Sequence, residues 1–311
     1  MRTKPVFLRF LRSLGSLGLL SLLPALLPAP VLAQESALSF QATELAPGLY
    51  MLEGVGGFTG GNLGLLTGKD GVVLIDDGLP PLTDKLLAAI GELTGDPVEF
   101  LINTHVHGDH IGGNEVFAKK GATIVAHDNL RHRLLSDGIT TPAGDVPAPE
   151  DALPVVTFSD SVTFHLNGHE AFVFHVERAH TDGDAVIHFP TANVIHAGDL
   201  MFNGLFPFID LDSGGSVDGY IAGQERLLAL TDEQTKIIPG HGPLADHKDL
   251  KAAVAMLKDS YARVRSLVEA GQTEEEILAT NPLADYHDDW NWSFITTERM
   301  TKTLIRALTG E

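Results

Sequence analysis

The hexapeptide His105-Val106-His107-Gly108-Asp109-His110 constrains this chain more than any other segment. It follows directly on an apolar run, Val98-Glu99-Phe100-Leu101-Ile102, so it reads as a tight turn at the carboxyl end of a buried strand. Imidazole and carboxylate are ligands that suit zinc, and zinc usually takes four of them. One turn cannot aim all of its ligands at a single ion. Residues two apart converge, so His105 and His107 suit one site, and the adjacent pair Asp109 and His110 then points at a second. The competing reading is a polar surface loop rich in histidine. Further His and Asp residues recur downstream at strand ends, where ligands belong, and they favour the metal reading.

The pattern H-x-H-x-D-H resembles the signature of the metallo-β-lactamase superfamily, and the resemblance runs from about Leu49 to His241 through several motifs. Ala179-His180-Thr181-Asp182-Gly183-Asp184 resembles the family's third metal motif, Ile195-His196-Ala197-Gly198-Asp199-Leu200 the fourth, and Ile238-Pro239-Gly240-His241-Gly242-Pro243 the fifth. The resemblance implies two Zn2+ per chain. The first would take His105, His107 and His180, the second Asp109, His110 and His241, and Asp199 would bridge them. It also implies an α/β fold, a four-layer αββα sandwich, with extra C-terminal helices here. The implied reaction is attack of a metal-bound hydroxide on an amide, lactone, ester or thioester carbonyl, with Asp109 as the catalytic residue that orients the nucleophile and takes its proton. With no cysteine in the chain, the cysteine-containing zinc site of the best-known lactamases cannot form. The Asp-bridged ligand set resembles the lactonase and glyoxalase II branches.

The first residues read as a leader rather than as part of the fold. Arg2, Lys4, Arg9 and Arg12 precede an apolar stretch from Leu14 to Leu27, and Val31-Leu32-Ala33 offers small residues for a signal peptidase. Cleavage after Ala33 is expected, leaving a metal domain over 34–247 and a helical extension over 248–311. Pro24, Pro28 and Pro30 interrupt the apolar run, which argues against a stable membrane anchor. The chain lacks a twin arginine, so the general secretory route to the periplasm or the medium is expected. Losing four leader cations takes the formal charge from −20 to −24. So acidic a chain opposes nucleic acid, whose phosphates need a basic surface, and points to a small-molecule substrate. The oligomeric state is not legible.

Periodicity outlines the rest. Gly48 to Leu66 reads as short strands joined by a glycine-rich connection, and Val72 to Ile75 as a buried strand. Leu82, Leu86, Leu87, Ile90 and Leu93 share one helical face, with Thr83 as N-cap and Gly95 as terminator. A short helix is expected over Glu115–Lys120, a strand over Ala122–Ala126, a helix over Asp128–Leu135, and a long surface loop over Asp137–Pro154. Asn167-Gly168 between two alternating runs signals a hairpin. Strands follow at Ala185–Phe189 and Val194–Ala197. After His241 the chain turns helical: Leu250, Val254, Leu257, Tyr261, Val264 and Val268 hold one face, Thr273 with Glu276 forms a capping box, and a last helix covers Thr297–Leu308.

The remaining site residues are weaker. Asp76 or Asp77 is placed to hold a ligand histidine through its other nitrogen or to cap the next turn, and Asp184 to do either. His127 is left out of the metal set, and His196 is expected to turn away from it. His165, His169, His175 and His188 read as surface or packing residues. Phe202, three positions after Asp199, opens an apolar stretch to Ile209 that contains no cation. Asn203 is the candidate substrate-binding donor to a developing oxyanion. β-Lactam hydrolysis and lactone hydrolysis rank close together, and a glyoxalase II-like thioesterase ranks lower, because a cytosolic glutathione thioester is an odd substrate for an exported protein. An iron-dependent redox member ranks below them, because diiron members of the superfamily carry Glu where this chain has His107, and a non-enzymatic metal-binding role ranks last.

Overall fold

The computed structural model describes residues 38–141 and 144–310; the expected leader lies outside them. In chain order the first half gives β1 (Ser39–Ala46), β2 (Leu49–Val55), β3 (Leu63–Leu66), β4 (Val72–Ile75), α1 (Thr83–Leu93), β5 (Val98–Ile102), α2 (Asn114–Lys119), β6 (Thr123–His127), α3 (Asp128–Ser136), β7 (Ile139–Thr141), β8 (Gly144–Val146) and β9 (Val156–Phe158). The second half gives β10 (Ser161–Leu166), β11 (His169–His175), β12 (Ala185–Phe189), β13 (Val194–Phe202), α4 (Val217–Leu228), β14 (Lys236–His241), β15 (Ala245–Asp246), α5 (His247–Glu269), α6 (Glu274–Thr280), α7 (His287–Trp290) and α8 (Thr297–Thr309). One seven-stranded sheet runs β1-β2-β3-β4-β5-β6-β9, and a six-stranded sheet runs β10 to β15 in sequence order.

The apolar residues sort these elements into four layers. Strand β4 is buried on both faces, and its side chains alternate as the pleat requires. Val73 and Ile75 meet Val173, Ile187 and Ile238 between the two sheets. Val72 and Leu74 face the other way, onto Leu86 and Ile90 of α1 and Phe117 of α2. On the far side, Ile195, Ala197 and Ile237 pack against Tyr220 of α4, Leu250 and Leu257 of α5, and Leu304 of α8. The order is therefore helix, sheet, sheet, helix, as expected. The helices after His241 pack on the outer face of the second sheet. No helix among the described residues is long and apolar enough to cross a membrane.

Some local expectations need correction. Thr83 does not cap α1; a 3-10 turn over Pro80–Leu82 feeds straight into the helix, and the Thr83 hydroxyl donates to the Pro80 carbonyl. Thr94, extended, ends that helix before Gly95 is reached. The stretch 137–154 is not structureless, because β7 and β8 pair within it. Strand β13 runs on to Phe202 past a register shift at Gly198, which has φ 50°. The hairpin at Asn167-Gly168, with φ 56° and 78°, and the Thr273/Glu276 capping box form as read.

Candidate metal centre

Strands β4, β5, β6 and β9 are parallel, as are β13 and β14, and their carboxyl ends deliver the site, where open α/β sheets bind ligands. The turn after β5 carries His105 to His110. The loop from β11 to β12 carries His180, β13 carries Asp199, and β14 ends on His241. Asn62, just before β3, ties the two halves together by donating its side-chain amide to the carbonyls of Pro239 (2.9 Å) and Gly242 (2.8 Å).

All seven expected ligands converge. His105, His107, His180 and Asp199 bring one donor atom each within 4.8 Å of one another, and Asp109, His110 and His241 do the same beside them. Asp199 lies between the groups: its Oδ2 is 3.4 Å from His180 Nε2 and 3.5 Å from His241 Nε2, and its Oδ1 is 3.1 Å from His110 Nε2. Gly240 and Gly61 leave room for this. A Cβ at Gly240 would stand 1.9 Å from Asp199 Oδ1, and one at Gly61 2.2 Å from the His110 ring.

The imidazoles are oriented by the nitrogen each turns away from the cluster. His107 Nε2 meets Asp210 Oδ2 at 2.9 Å, and His180 Nδ1 meets the Phe208 carbonyl at 2.7 Å. His110 Nδ1 meets Asp76 Oδ2 at 2.8 Å. His105 Nδ1 meets the Thr104 hydroxyl at 3.0 Å, and that hydroxyl donates to the same Asp76 oxygen at 2.7 Å. Asp76 therefore braces one histidine from each group, and it does so from a left-handed backbone, φ 58°, an uncommon conformation for a residue with a Cβ. Asp77 accepts from Gly113 N and holds the turn's far end. Asp184 accepts from the backbone N–H groups of His180 and Thr181 and fixes the His180 loop.

These polar partners leave the inward-facing atoms unmatched. With His107 donating to Asp210 and His180 to Phe208, the lone pairs of His107 Nδ1 and His180 Nε2 face each other at 2.9 Å. Only a shared cation or proton relieves such a contact. His105 Nε2 is buried without a hydrogen-bond partner, which is costly unless something else fills the space, and His110 Nε2 and Asp199 Oδ1 have only each other, at 3.1 Å. A nitrogen- and oxygen-rich set with buried lone pairs converging from both sheets fits divalent transition ions such as zinc.

Protonation divides the histidines. Burial keeps His105 far below the usual imidazole range and His180 at about 4, so both present lone pairs at neutral pH. Burial also opposes charge on His110 and His241, but Asp199 above all overcomes it, raising His110 well above its ordinary value and His241 to about 9. Burial would raise Asp109; the neighbouring His110 and His241 more than offset that and hold it at about 2. Asp199 is likewise pulled well below the carboxylate range by the imidazoles around it.

Aromatic rings wall the centre. Phe202 stacks on His241 with centroids 5.0 Å apart, and Phe208 lies 5.5 Å from His107. Asn203 stands at the foot of this wall, its Nδ2 donating to the Pro243 carbonyl at 3.0 Å. His196 is buried, with Nδ1 accepting from Gly198 N and burial holding it at about 4; it belongs to neither ligand group. His127 stacks on His175 instead, 3.7 Å apart. Sequence reasoning missed Asp210 and Thr104. Asp210 and Thr104 carried no signal beyond being polar residues near a strand end or turn.

Residues 56–241 match the family model described as the metallo-beta-lactamase superfamily, and this chain belongs to that superfamily of metal-dependent hydrolases. A hydroxyacylglutathione hydrolase from Methylococcus capsulatus is 29% identical over 217 residues, 65% of this chain and 74% of that protein. A metallo-beta-lactamase type 2 from Bacillus cereus is 25% identical over 202 residues, 62% of this chain and 72% of that one. Among solved structures, a metallo-beta-lactamase from Pontibacter korlensis aligns with a TM-score of 0.59 at 21% identity, covering 71% of this chain and all of that one; this likeness shows the fold.

Proposed function

We propose that the chain is a dinuclear zinc hydrolase that cleaves an amide, lactone, ester or thioester carbonyl of a small molecule outside the cytoplasm. The observation that carries the reading is the pair of facing lone pairs on His107 and His180, beside the Asp199 carboxylate that lies between the two groups. His105, His107 and His180 would hold one ion, Asp109, His110 and His241 the other, and Asp199 both. Such ions supply a Lewis acid for the carbonyl and lower the pKa of coordinated water to about 7. The chain's own residues do the rest. Asp109, ionised and partly open to solvent, is positioned to accept a proton from an attacking water. Phe202 and Phe208 exclude bulk water from the imidazoles they cover. Asn203 has a second amide N–H beyond the one that Pro243 takes, and it is our candidate donor to the carbonyl oxygen. Residues 34–247 carry this chemistry and 248–311 form the helical extension.

The test is metal content together with turnover of a chromogenic cephalosporin and a long-chain lactone. Two zinc ions per chain and chelator-sensitive hydrolysis of either substrate are expected, the cephalosporin arm defining a β-lactamase and the lactone arm an esterase. Asp199→Ala should lose both metal and turnover, while His165→Ala keeps both. An Asp199→Ala protein that retains two ions and full activity would overturn the bridging assignment.

A further inference from the structure

Helix α4 carries two glycines four residues apart, Gly219 and Gly223. Glycine is a poor helix former, and close approach is the reason for it here. A Cβ at Gly219 would stand 2.0 Å from the Arg178 carbonyl oxygen, and one at Gly223 2.7 Å from the Val176 side chain and 3.0 Å from that of Leu200. The helix therefore lies tight against two segments at once. One is the β11–β12 loop that delivers His180, and the other is β13, which delivers Asp199.

The residue after each glycine is polar and buried: Tyr220 and Gln224. Strand β13 shows what they are for. On one side β12 pairs with it only from Val194 to His196, and on the other β14 meets it at Gly198 and then at Phe202, with register shifts between. The partner of Gly198 is Pro239, which has no N–H to give. Residues 199–201 thus lack a strand partner, and buried carbonyls there must be met from elsewhere. Tyr220 Oη donates to the Asp199 carbonyl at 2.8 Å, and Gln224 Nε2 donates to the Leu200 carbonyl at 3.0 Å. Two side chains one helical turn apart replace ladder bonds at the point where the strand turns Asp199 toward the histidines.

The start of α4 does the same for the His180 loop. Ser216, the N-cap, donates its N–H to the Ala179 carbonyl at 3.0 Å and its hydroxyl to the Arg178 carbonyl at 2.8 Å. Arg178 has φ 48°, uncommon for a residue with a Cβ, so this loop holds a backbone that needs support. On the far side of Asp199, the Cα of Gly240 takes up the space next to Oδ1. Asp199 is gripped between α4 and β14.

We propose that Tyr220 is a positioning residue for the metal centre: its hydroxyl fixes the backbone of Asp199, and with it the reach of the carboxylate that both ions would share. The bridging role of Asp199 rests on the dinuclear reading above; the brace itself is read from metal affinity. Competition with a chromophoric chelator measures zinc binding to the full chain. The thermal midpoint of the stripped protein and the visible absorption of the cobalt-loaded protein are recorded beside it. Val264→Ala, a truncation on α5 in the same apolar layer, controls for lost stability alone. Tyr220→Phe and Val264→Ala should both lower the stripped midpoint, because one orphans a buried carbonyl and the other opens a cavity. Only Tyr220→Phe should weaken zinc, by roughly tenfold, the low end of the range for removing a group that orients a ligand, and only it should shift the cobalt bands. Parent-like zinc affinity and cobalt spectrum in Tyr220→Phe, or an equal loss of affinity in Val264→Ala, would overturn the brace. Should Tyr220→Phe not fold, Gln224→Met makes the same comparison one residue further along β13: a loss of at least about threefold supports the brace, and parent-like binding overturns it. A parent that takes a single ion, held more weakly in Tyr220→Phe, supports the brace and overturns the dinuclear reading instead. A parent that takes no ion overturns both.

Discussion

Asp210 shows how much a single carboxylate can contribute from outside the ligand set. Its Oδ2 takes the Nε2 proton of His107 at 2.9 Å, which fixes the tautomer and leaves Nδ1 as the lone pair facing the cluster. Its Oδ1 accepts from the backbone of Asp212 and Ser213, so the same side chain also shapes its own turn. Removing such a partner typically costs about 10–100-fold in metal affinity. Asp210→Ala should therefore weaken the ion held by His105, His107 and His180 by roughly that factor, while Asp210→Asn, whose amide oxygen still accepts the Nε2 proton, should lose less. Competition with a chromophoric chelator measures it, and equal affinities in the alanine variant and the parent would remove Asp210 from the site. The seven ligand candidates were legible because their motifs are contiguous, each a few residues at a strand end. Asp210 was not, because its partner lies 103 residues away and nothing local separates it from any aspartate that closes a turn.

At the scale of elements, periodicity was informative wherever both faces of a segment are apolar or strictly alternate. Strands β4 and β5 were legible at both ends, and so was the β10–β11 hairpin. Strands β7, β8 and β9 were not, because three-residue strands beside Pro and Gly carry no period. The junction of β6 and α3 holds a cap that propensity does not suggest. His127 Nδ1 accepts from Asn129 N at 3.2 Å while Nε2 meets the Ser159 carbonyl at 2.9 Å. A protonated ring would turn a second N–H toward the helix's own donor, and burial with the stacked His175 lowers the pKa of His127. A histidine depressed in the folded state stabilises above its unfolded pKa of about 6.5 and loses that stabilisation as pH falls below it. His127→Asn keeps an acceptor for the cap and does not titrate. Denaturant midpoints of the two chelator-treated proteins at pH 7.5 and 5.5 should show the smaller acid loss in the variant. Equal losses would mean that the ring's neutrality does not contribute to stability.

At the scale of the whole molecule, the proposed ions act as a clasp between the sheets. The turn after β5 belongs to the first sheet, whereas Asp199 and His241 lie on the second and His180 on the loop beside it, so each ion would take ligands from both halves. The apolar layer between the sheets does not depend on metal, and the stripped protein should remain folded but less stable. A ligand at about 100 times its Kd adds about 2.7 kcal/mol, and 1 kcal/mol is worth roughly 2–4 °C in domains of about 150–250 residues. Stripping one ion should thus lower Tm by roughly 5–10 °C. The size of the drop must depend on pH in one direction. Asp199 raises His241 to about 9 and His110 well above its ordinary value, so an incoming ion has to compete with protons for them. Raising the pH removes that competitor, and the Tm gap between zinc-loaded and chelator-stripped protein should widen from pH 6 to pH 8 at fixed free zinc. Calorimetric titration at pH 7 in buffers of different ionisation enthalpy should register the released protons directly. A gap that stays flat or narrows with pH, with no proton release, would show that these two histidines do not ligate.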